Sequence, residues 1–124
     1  MLAAPIASLS LHTGAENIGY AFNYTDQDSV EELRVRQLAE DYAASCGQLG
    51  FYAVQGAEWY VTRGDANDWS FAVTGALDFT VELSRDKAPD PALLPDLIDA
   101  HLPAIAAFLA TPVDLRLQLT DVEG

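Results

Sequence analysis

Hydrophobic and polar residues alternate in three segments of the chain, which is the pattern of strands with two unlike faces. The first segment, IASLSLHTG, ends near His12. The second, GALDFTVELSRDKAP, places large apolar side chains on one face and Glu82 among polar residues on the other. The third, VDLRLQLTDVEG, alternates from Val113. The sequence therefore predicts strands near its start, around Glu82 and at its end.

Two longer segments have apolar residues at helical spacing. Ser29 and Glu32 form a capping-box pattern in front of a helix that ends near Ser45. A second helix is predicted over residues 97–109, with Pro103 as a kink or a restart.

Shorter segments carry weaker patterns. Residues 17–28 mix aromatic residues with Asn, Asp and Gly, so we expect an irregular but partly buried stretch. Extended pieces are predicted over 51–54 and 59–62, and a short helix over 68–73 with Asp68 near its start as a possible cap.

The order of elements is strand, helix, strand, short helix, strand, helix, strand. This order predicts an α/β fold in which helices flank a mostly parallel or mixed sheet. Because the chain begins and ends on a strand, the sheet reads as a partial one, cut from a larger sheet.

Charge and composition narrow the classes of partner. The 124 residues fit one domain and include 19 acidic and 6 basic residues, a formal net charge of −13. Such a surface disfavours nucleic acid and favours cationic ligands or peptides, unless the acids only solvate the surface. Cys46 is the only cysteine, so neither an internal disulfide nor a cysteine zinc cluster can form. The apolar start reads poorly as a signal peptide and is too short to span a membrane, and the compartment stays open.

Three residues are candidates for a catalytic, metal-binding or substrate-binding role. Glu82 is a carboxylate on a largely apolar strand, explained either by a salt bridge to Arg63 or Arg85 or by a role as a general base. His12 ends a strand, as a structural histidine or as a metal ligand. Tyr60 is either an exposed loop aromatic or a phenol that caps a pocket.

The order of segments along the chain resembles that of a zinc metallocarboxypeptidase of the carboxypeptidase A superfamily. The segments are LHTGAENIGYAF, then QGAEWYVTRGDANDWSFAVTGALDFTVELSRDKAP, then a long apolar helix and a leucine-rich strand. The closer likeness is to the carboxypeptidase N, E and D branch, whose catalytic domain is followed by a transthyretin-like β-domain. The resemblance implies that residues 1–112 are the C-terminal half of the catalytic domain. Residues 113–124 would then be the first strand of a truncated transthyretin-like domain.

The family's motif positions carry implied roles. His12 matches the third zinc ligand, and Tyr60 matches the mobile tyrosine that closes over the substrate's C-terminal residue. Glu82 matches the glutamate that takes a proton from the zinc-bound water and later passes it to the leaving amine. Asp68 also falls at its family position. The resemblance thus implies that the substrates are peptide or protein C-termini.

The substrate-binding positions implied by the resemblance are Thr13, Asn23 and Asn67. Branch members that cut after basic residues have an aspartate where this chain has Asn23, and the pocket position before Asp68 is Asn67. A preference for basic residues is therefore not implied.

The zinc site implied by the resemblance is incomplete in this chain. The family's other two ligands come from an upstream H-x-x-E motif, which neither His12 nor His101 begins; we take His101 as a packing or surface residue. We expect the chain alone to be inactive, with an upstream chain supplying the missing ligands. The alternative is a non-catalytic remnant or binding module, completed by another chain or by self-association through an exposed sheet edge.

Overall fold

Four strands and four α-helices form the described part of the protein, residues 7–111 of a computed structural model. In order they are β1 (Ala7–His12), β2 (Ala15–Tyr20), α1 (Glu32–Ser45), β3 (Tyr52–Gln55), α2 (Gly56–Trp59), α3 (Ala66–Thr74), β4 (Leu77–Ser84) and α4 (Leu94–Ala110), with a short 3-10 turn at Pro91–Leu93. The strand predicted from Val113 lies outside the described residues.

The strands form one mixed sheet in the order β1-β4-β2-β3. β1 runs parallel to β4, β4 runs antiparallel to β2, and β2 runs parallel to β3. Helices α1 and α4 pack against each other, α1 also contacts β2 and β3, and α4 contacts β4. This is the predicted α/β fold with a mixed sheet and flanking helices.

The core lies between the helices and one face of the sheet. It is built from alternate residues of β2 and β4 together with the inner faces of α1 and α4: Ile18, Tyr20, Phe79, Val81, Val35, Leu38, Ala39, Tyr42 and Ala104. Because side chains alternate along a strand, the residues between these point to the opposite face. That second face carries Asn17, Thr80 and Glu82 and is therefore the polar face of the sheet.

The prediction that residues 17–28 are irregular is wrong at their N-terminal end, where β2 forms. Asn17 and Gly19 are weak strand formers, which hides the alternation that places Ile18 and Tyr20 in the core. β2 pairs with β4 on one side and β3 on the other, so its backbone is hydrogen-bonded on both edges. Tertiary pairing therefore overrides the local preference.

The prediction of an extended segment over 59–62 is wrong at Trp59, which ends α2, whereas Tyr60 is extended without belonging to a described strand. The Tyr60 backbone N–H donates to the Gly56 carbonyl at 3.0 Å, which closes the single turn of α2. The Thr62 N–H donates to the Asn23 carbonyl at 2.9 Å instead of joining a strand. Contacts with the loop after β2 thus set this conformation.

The predicted capping box is not formed, although α1 ends at Ser45 as expected. The Ser29 hydroxyl has no hydrogen-bond partner among residues 7–111. The Glu32 carboxylate accepts from the Arg36 guanidinium, one turn later, at 2.9 Å. Since Glu32 faces forward along the helix, it does not reach back to Ser29.

The two later helices differ from expectation at single positions. The N-cap of α3 is Asp65, whose carboxylate accepts from the Asn67 N–H at 3.1 Å, so Asp68 is not the cap. Helix α4 runs through Pro103 without a restart. Within residues 7–111 the stretch Pro91–Ala110 is long and apolar enough to cross a membrane, by length and composition only. Here it packs against α1 and β4.

His101 is a packing residue, one of the two alternatives weighed for it. Its side chain is 2% exposed and lies between α4 and α1. Nδ1 lies 3.1 Å from the Tyr42 hydroxyl and Nε2 lies 2.8 Å from Gln48 Oε1. The tautomer with hydrogen on Nε2 satisfies both contacts, since Nε2 then donates to Gln48 and Nδ1 accepts from Tyr42.

We expect acid to destabilise the fold through His101. Burial lowers the pKa of His101, so the unfolded chain takes up its proton first as the pH falls. The titratable groups packed against the ring are Tyr42 and Cys46; burial raises the pKa of each, so both stay neutral in this range. The stabilisation from neutral His101 should be complete above about pH 6.5 and be lost below it, by about 1.4 kcal/mol per pH unit at most.

Urea unfolding at pH 7.5, 6.5 and 5.5 measures this loss against His101→Gln, which keeps a donor but does not titrate. As the pH falls, the free energy of unfolding should decrease more for the wild type than for His101→Gln. A difference that is constant across the three pH values contradicts the assignment.

Candidate active site

A cavity of about 340 Å³ opens on the polar face of the sheet. Its walls come from β1, β2, β4 and the segment from α2 to α3. It is lined by five of the six residues that the sequence singled out: His12, Asn23, Tyr60, Asn67 and Glu82. Residues far apart in sequence thus meet at one site.

His12 and Glu82 are direct neighbours across the parallel pair β1 and β4. Adjacent strands lie about 4.8 Å apart, and partners in register project from the same face. His12 is exposed at the end of its strand, whereas Glu82 is only 8% exposed. An imidazole and a carboxylate therefore stand side by side at the cavity wall.

Glu82 takes part in no ion pair of the described residues. Arg85 pairs with Glu16 at 2.8 Å, and the other ion pair joins Arg36 to Glu32. The salt-bridge explanation for Glu82 is therefore wrong. One of its oxygens, Oε2, is buried and has no hydrogen-bond partner within residues 7–111.

Tyr60 also lines the cavity, directly after α2. Its side chain is 56% exposed, and its ring meets that of Trp59 edge-on with 4.7 Å between centroids. The phenol is carried by an irregular segment and not by a strand or a long helix.

Asn67 lines the cavity and is buried, with 3% of its surface exposed. Its amide nitrogen donates to the Asp78 carbonyl at 3.0 Å, and its amide oxygen accepts from the Thr80 hydroxyl at 3.0 Å. Both ends of the amide are therefore used to join α3 to β4. Asn67 shapes the cavity with its hydrogen bonds already satisfied.

Asn23 is held by Asp68. Its backbone N–H and its side-chain nitrogen both donate to Asp68 Oδ1, at 2.8 and 3.2 Å. A Cβ added at Gly56 would overlap the amide end of Asn23, so the first residue of α2 has to be glycine. This close approach fixes the Asn23 amide at the cavity wall.

The sequence analysis did not identify Asn17, which is also part of the site. Asn17 is the register partner of Glu82 on the β2 side, lines the cavity and is fully buried. Neither its amide oxygen nor its amide nitrogen has a hydrogen-bond partner in the described part of the chain. Extending the strand alternation through residues 15–20 would have placed Asn17 on the face of Glu82.

Thr13 lies apart from these residues. Its hydroxyl donates to the Lys87 carbonyl at 2.9 Å, and its side chain borders a separate apolar groove of about 180 Å³ that includes Leu11 and Leu83. The structure thus does not bring Thr13 into the cavity.

The described residues do not form a zinc site by themselves. No three His, Cys, Asp or Glu side chains within residues 7–111 are grouped so that they could hold a metal ion. A catalytic zinc needs three protein ligands and an open position. His12 is the only imidazole at the cavity, so the residues present do not fit a complete site.

Comparisons with known proteins identify the family of this chain. The family profile described as zinc carboxypeptidase matches residues 4–106. Carboxypeptidase D of Drosophila melanogaster is 33% identical over 54 residues, which are 44% of this chain and 4% of that protein.

Two solved structures share the fold. Bovine thrombin-activatable fibrinolysis inhibitor, solved in complex with tick carboxypeptidase inhibitor, has a TM-score of 0.73 at 20% identity and covers 83% of this chain and 38% of its own. Carboxypeptidase A from Helicoverpa armigera has a TM-score of 0.72 at 14% identity, covering 83% of this chain and 29% of its own. This chain therefore spans only about a third of the solved chains. The resemblance to the carboxypeptidase A superfamily is confirmed, and the chain belongs to the zinc carboxypeptidase family.

Proposed function

We propose that this chain carries the substrate cavity and the catalytic base of a metallocarboxypeptidase that removes single residues from peptide C-termini. The observation that carries the proposal is the register pair of His12 and Glu82 on the wall of a cavity that Tyr60 also lines. An imidazole, a carboxylate and a phenol thus surround one cavity, which supports the proposal.

Glu82 is the proton carrier in this proposal. Its carboxylate is nearly buried and takes part in no described ion pair, so it is available to accept a proton. It would take a proton from the water that attacks the scissile carbonyl and give it to the leaving amine, which leaves Glu82 unchanged after one turnover. Tyr60, on an exposed irregular segment, would close over the bound C-terminal residue.

His12 would be one zinc ligand of a site whose other ligands lie outside this chain. The sequence has no H-x-x-E motif, and residues 7–111 hold no metal-binding group of three. The proposal requires a polypeptide, joined to this chain or separate from it, that supplies the remaining ligands.

We expect the 124 residues alone to bind no stoichiometric tight zinc and to hydrolyse no peptide, because one imidazole is a weak site. Calorimetric zinc titration, followed by incubation with a short peptide and analysis of its C-terminus, measures both. Tight zinc in a 1:1 ratio together with turnover by the chain alone would overturn the claim that the site is incomplete.

The second candidate is a non-catalytic binding module, and the exposed apolar surface favours it. Among the described strands β1 pairs only with β4, so its other edge is free of a described strand. Beside it lies the apolar groove, where Leu11, Ile98 and Leu102 are each more than half exposed. Open edges and apolar patches associate with other chains.

The two candidates differ in what the chain associates with. Co-purification with a polypeptide that carries H-x-x-E supports the carboxypeptidase proposal. A stable dimer of this chain alone, without zinc and without peptide hydrolysis in any complex, supports the binding module. Size-exclusion chromatography with mass spectrometry of the eluted species separates the two results.

A further inference from the structure

Asn17 is the one cavity residue whose amide is both fully buried and without a partner in residues 7–111. An amide buried without hydrogen bonds is destabilising, since it loses its bonds to water and gains none in return. Asn67, in the same cavity, differs from Asn17 because both of its amide atoms are hydrogen-bonded within the protein, as is usual for a buried amide. The Asn17 amide, which lines the cavity, therefore has unused hydrogen-bonding capacity.

The cavity also presents further hydrogen-bond acceptors. Asn23 uses its backbone N–H and side-chain nitrogen on Asp68, while its amide oxygen accepts no hydrogen bond from the described residues. Glu82 Oε2, next to Asn17 in the ladder, is likewise unpartnered in this part of the chain. The buried and unpartnered side-chain atoms of the cavity lining are thus one donor, Asn17 Nδ2, and two acceptors, Asn17 Oδ1 and Glu82 Oε2, and the Asn23 amide oxygen is a further acceptor.

The charge of the lining excludes one class of ligand. The cavity is lined by two carboxylates, Glu82 and Asp65, and no Lys or Arg lines it. An anionic side chain would meet like charge and find no cation to pair with. Acidic C-terminal residues are therefore disfavoured.

The remaining classes differ in whether they can pair with both the donor and the acceptor of the Asn17 amide. An aliphatic side chain leaves the Asn17 donor and acceptor both unpaired. An ammonium or guanidinium group offers donors only, so it leaves Asn17 Nδ2 unpaired. A primary carboxamide offers an acceptor and two donors, so it can pair with both atoms of the Asn17 amide at once.

We propose that Asn17 is a specificity-determining residue and that the cavity selects a C-terminal residue with a carboxamide side chain, glutamine or asparagine. This inference rests on the proposed function, because it takes the cavity to be the pocket for the C-terminal residue. It adds the side-chain class of the substrate, which the sequence left open. Gly19, between Asn17 and the loop that carries Asn23, keeps the floor of the cavity free of a side chain.

The test is an NMR titration of the full 124-residue chain with acetyl-Ala-Gln, acetyl-Ala-Leu, acetyl-Ala-Glu and acetyl-Ala-Arg. The Gln peptide should bind about tenfold more tightly than the Leu peptide, since two paired amide atoms replace two unpaired ones. The side-chain NH₂ resonances of Asn17 should shift with the Gln peptide. In Asn17→Leu the order of Gln and Leu should reverse, with the fold of the variant checked by its amide spectrum.

The outcomes distinguish the carboxamide assignment from the carboxypeptidase proposal on which it rests. Binding of the Leu, Glu or Arg peptide as tightly as the Gln peptide overturns the carboxamide assignment and leaves the carboxypeptidase proposal standing. If no peptide moves the resonances of Tyr60, Glu82 or Asn17, even when the polypeptide that supplies the missing ligands is present, the cavity is not a peptide pocket and both fail. Because the comparison of peptides uses the wild-type chain, an Asn17→Leu protein that does not fold still leaves the assignment open to refutation.

Discussion

Asn67→Leu is expected to lower the free energy of unfolding by about 2 to 4 kcal/mol, one of the largest effects of a single substitution in this chain. Leucine is close to asparagine in size but cannot hydrogen-bond. It would leave the Asp78 carbonyl and the Thr80 hydroxyl without their partner in a buried position. The loss of the hydrogen bonds between α3 and β4 should lower the midpoint of urea unfolding and leave its m-value unchanged.

Asn17→Leu is the matched control, with the same substitution at a residue that is just as buried. The Asn17 amide has no partner in residues 7–111, so its removal leaves no protein group unpaired. We expect the free energy of unfolding to stay the same or rise, since replacing an unpaired buried amide with an apolar group of similar shape is neutral or stabilising. Equal losses in the two variants would contradict the difference in hydrogen bonding.

Glu82→Gln is expected to reduce peptide hydrolysis about 10³-fold in a zinc-supplied preparation that contains this chain and the missing ligands. Glutamine keeps the shape of the side chain but cannot accept the proton of the attacking water. The fall should lie in kcat and leave KM nearly unchanged, because the substitution affects proton transfer and not the fit of the substrate. Initial rates over a range of substrate concentrations measure the two parameters separately.

Glu16→Gln is the control for the Glu82 experiment. Glu16 lies on the neighbouring strand and pairs with Arg85 at 2.8 Å, and it does not line the cavity. Its substitution should leave kcat and KM unchanged, since exposed ion pairs contribute little. A comparable loss of kcat in both variants would mean that charge or stability is being measured instead of proton transfer.

The elements with regular patterns could be predicted from the sequence. β1 and β4 alternate cleanly, and α1 and α4 repeat apolar residues at helical spacing, so all four were found. β2 was missed because Asn17 and Gly19 are poor strand formers and only the flanking strands hold that segment extended. α2 is a single turn fixed by hydrogen bonds to the loop after β2, which no local pattern indicates.

The sequence indicated most of the residues that line the cavity, although it missed Asn17 and wrongly included Thr13, and it did not indicate their geometry. Glu82 stood out as a carboxylate on an apolar strand, and His12 as a histidine at a strand's end. Their register across β1 and β4 depends on which strands pair, and the sequence gives no direct sign of that pairing. For the same reason it could not indicate that Thr13 would turn toward Lys87 or that Asn17 would stand beside Glu82.

We propose Glu82 as the base of a carboxypeptidase site to which this chain contributes His12 and the cavity. The most direct test is mass spectrometry of a peptide incubated with zinc and the longest native polypeptide or complex that contains this chain. We expect a product shorter by one C-terminal residue with the wild type and almost none with Glu82→Gln. Cleavage inside the peptide, or trimming that persists unchanged in Glu82→Gln, would contradict it.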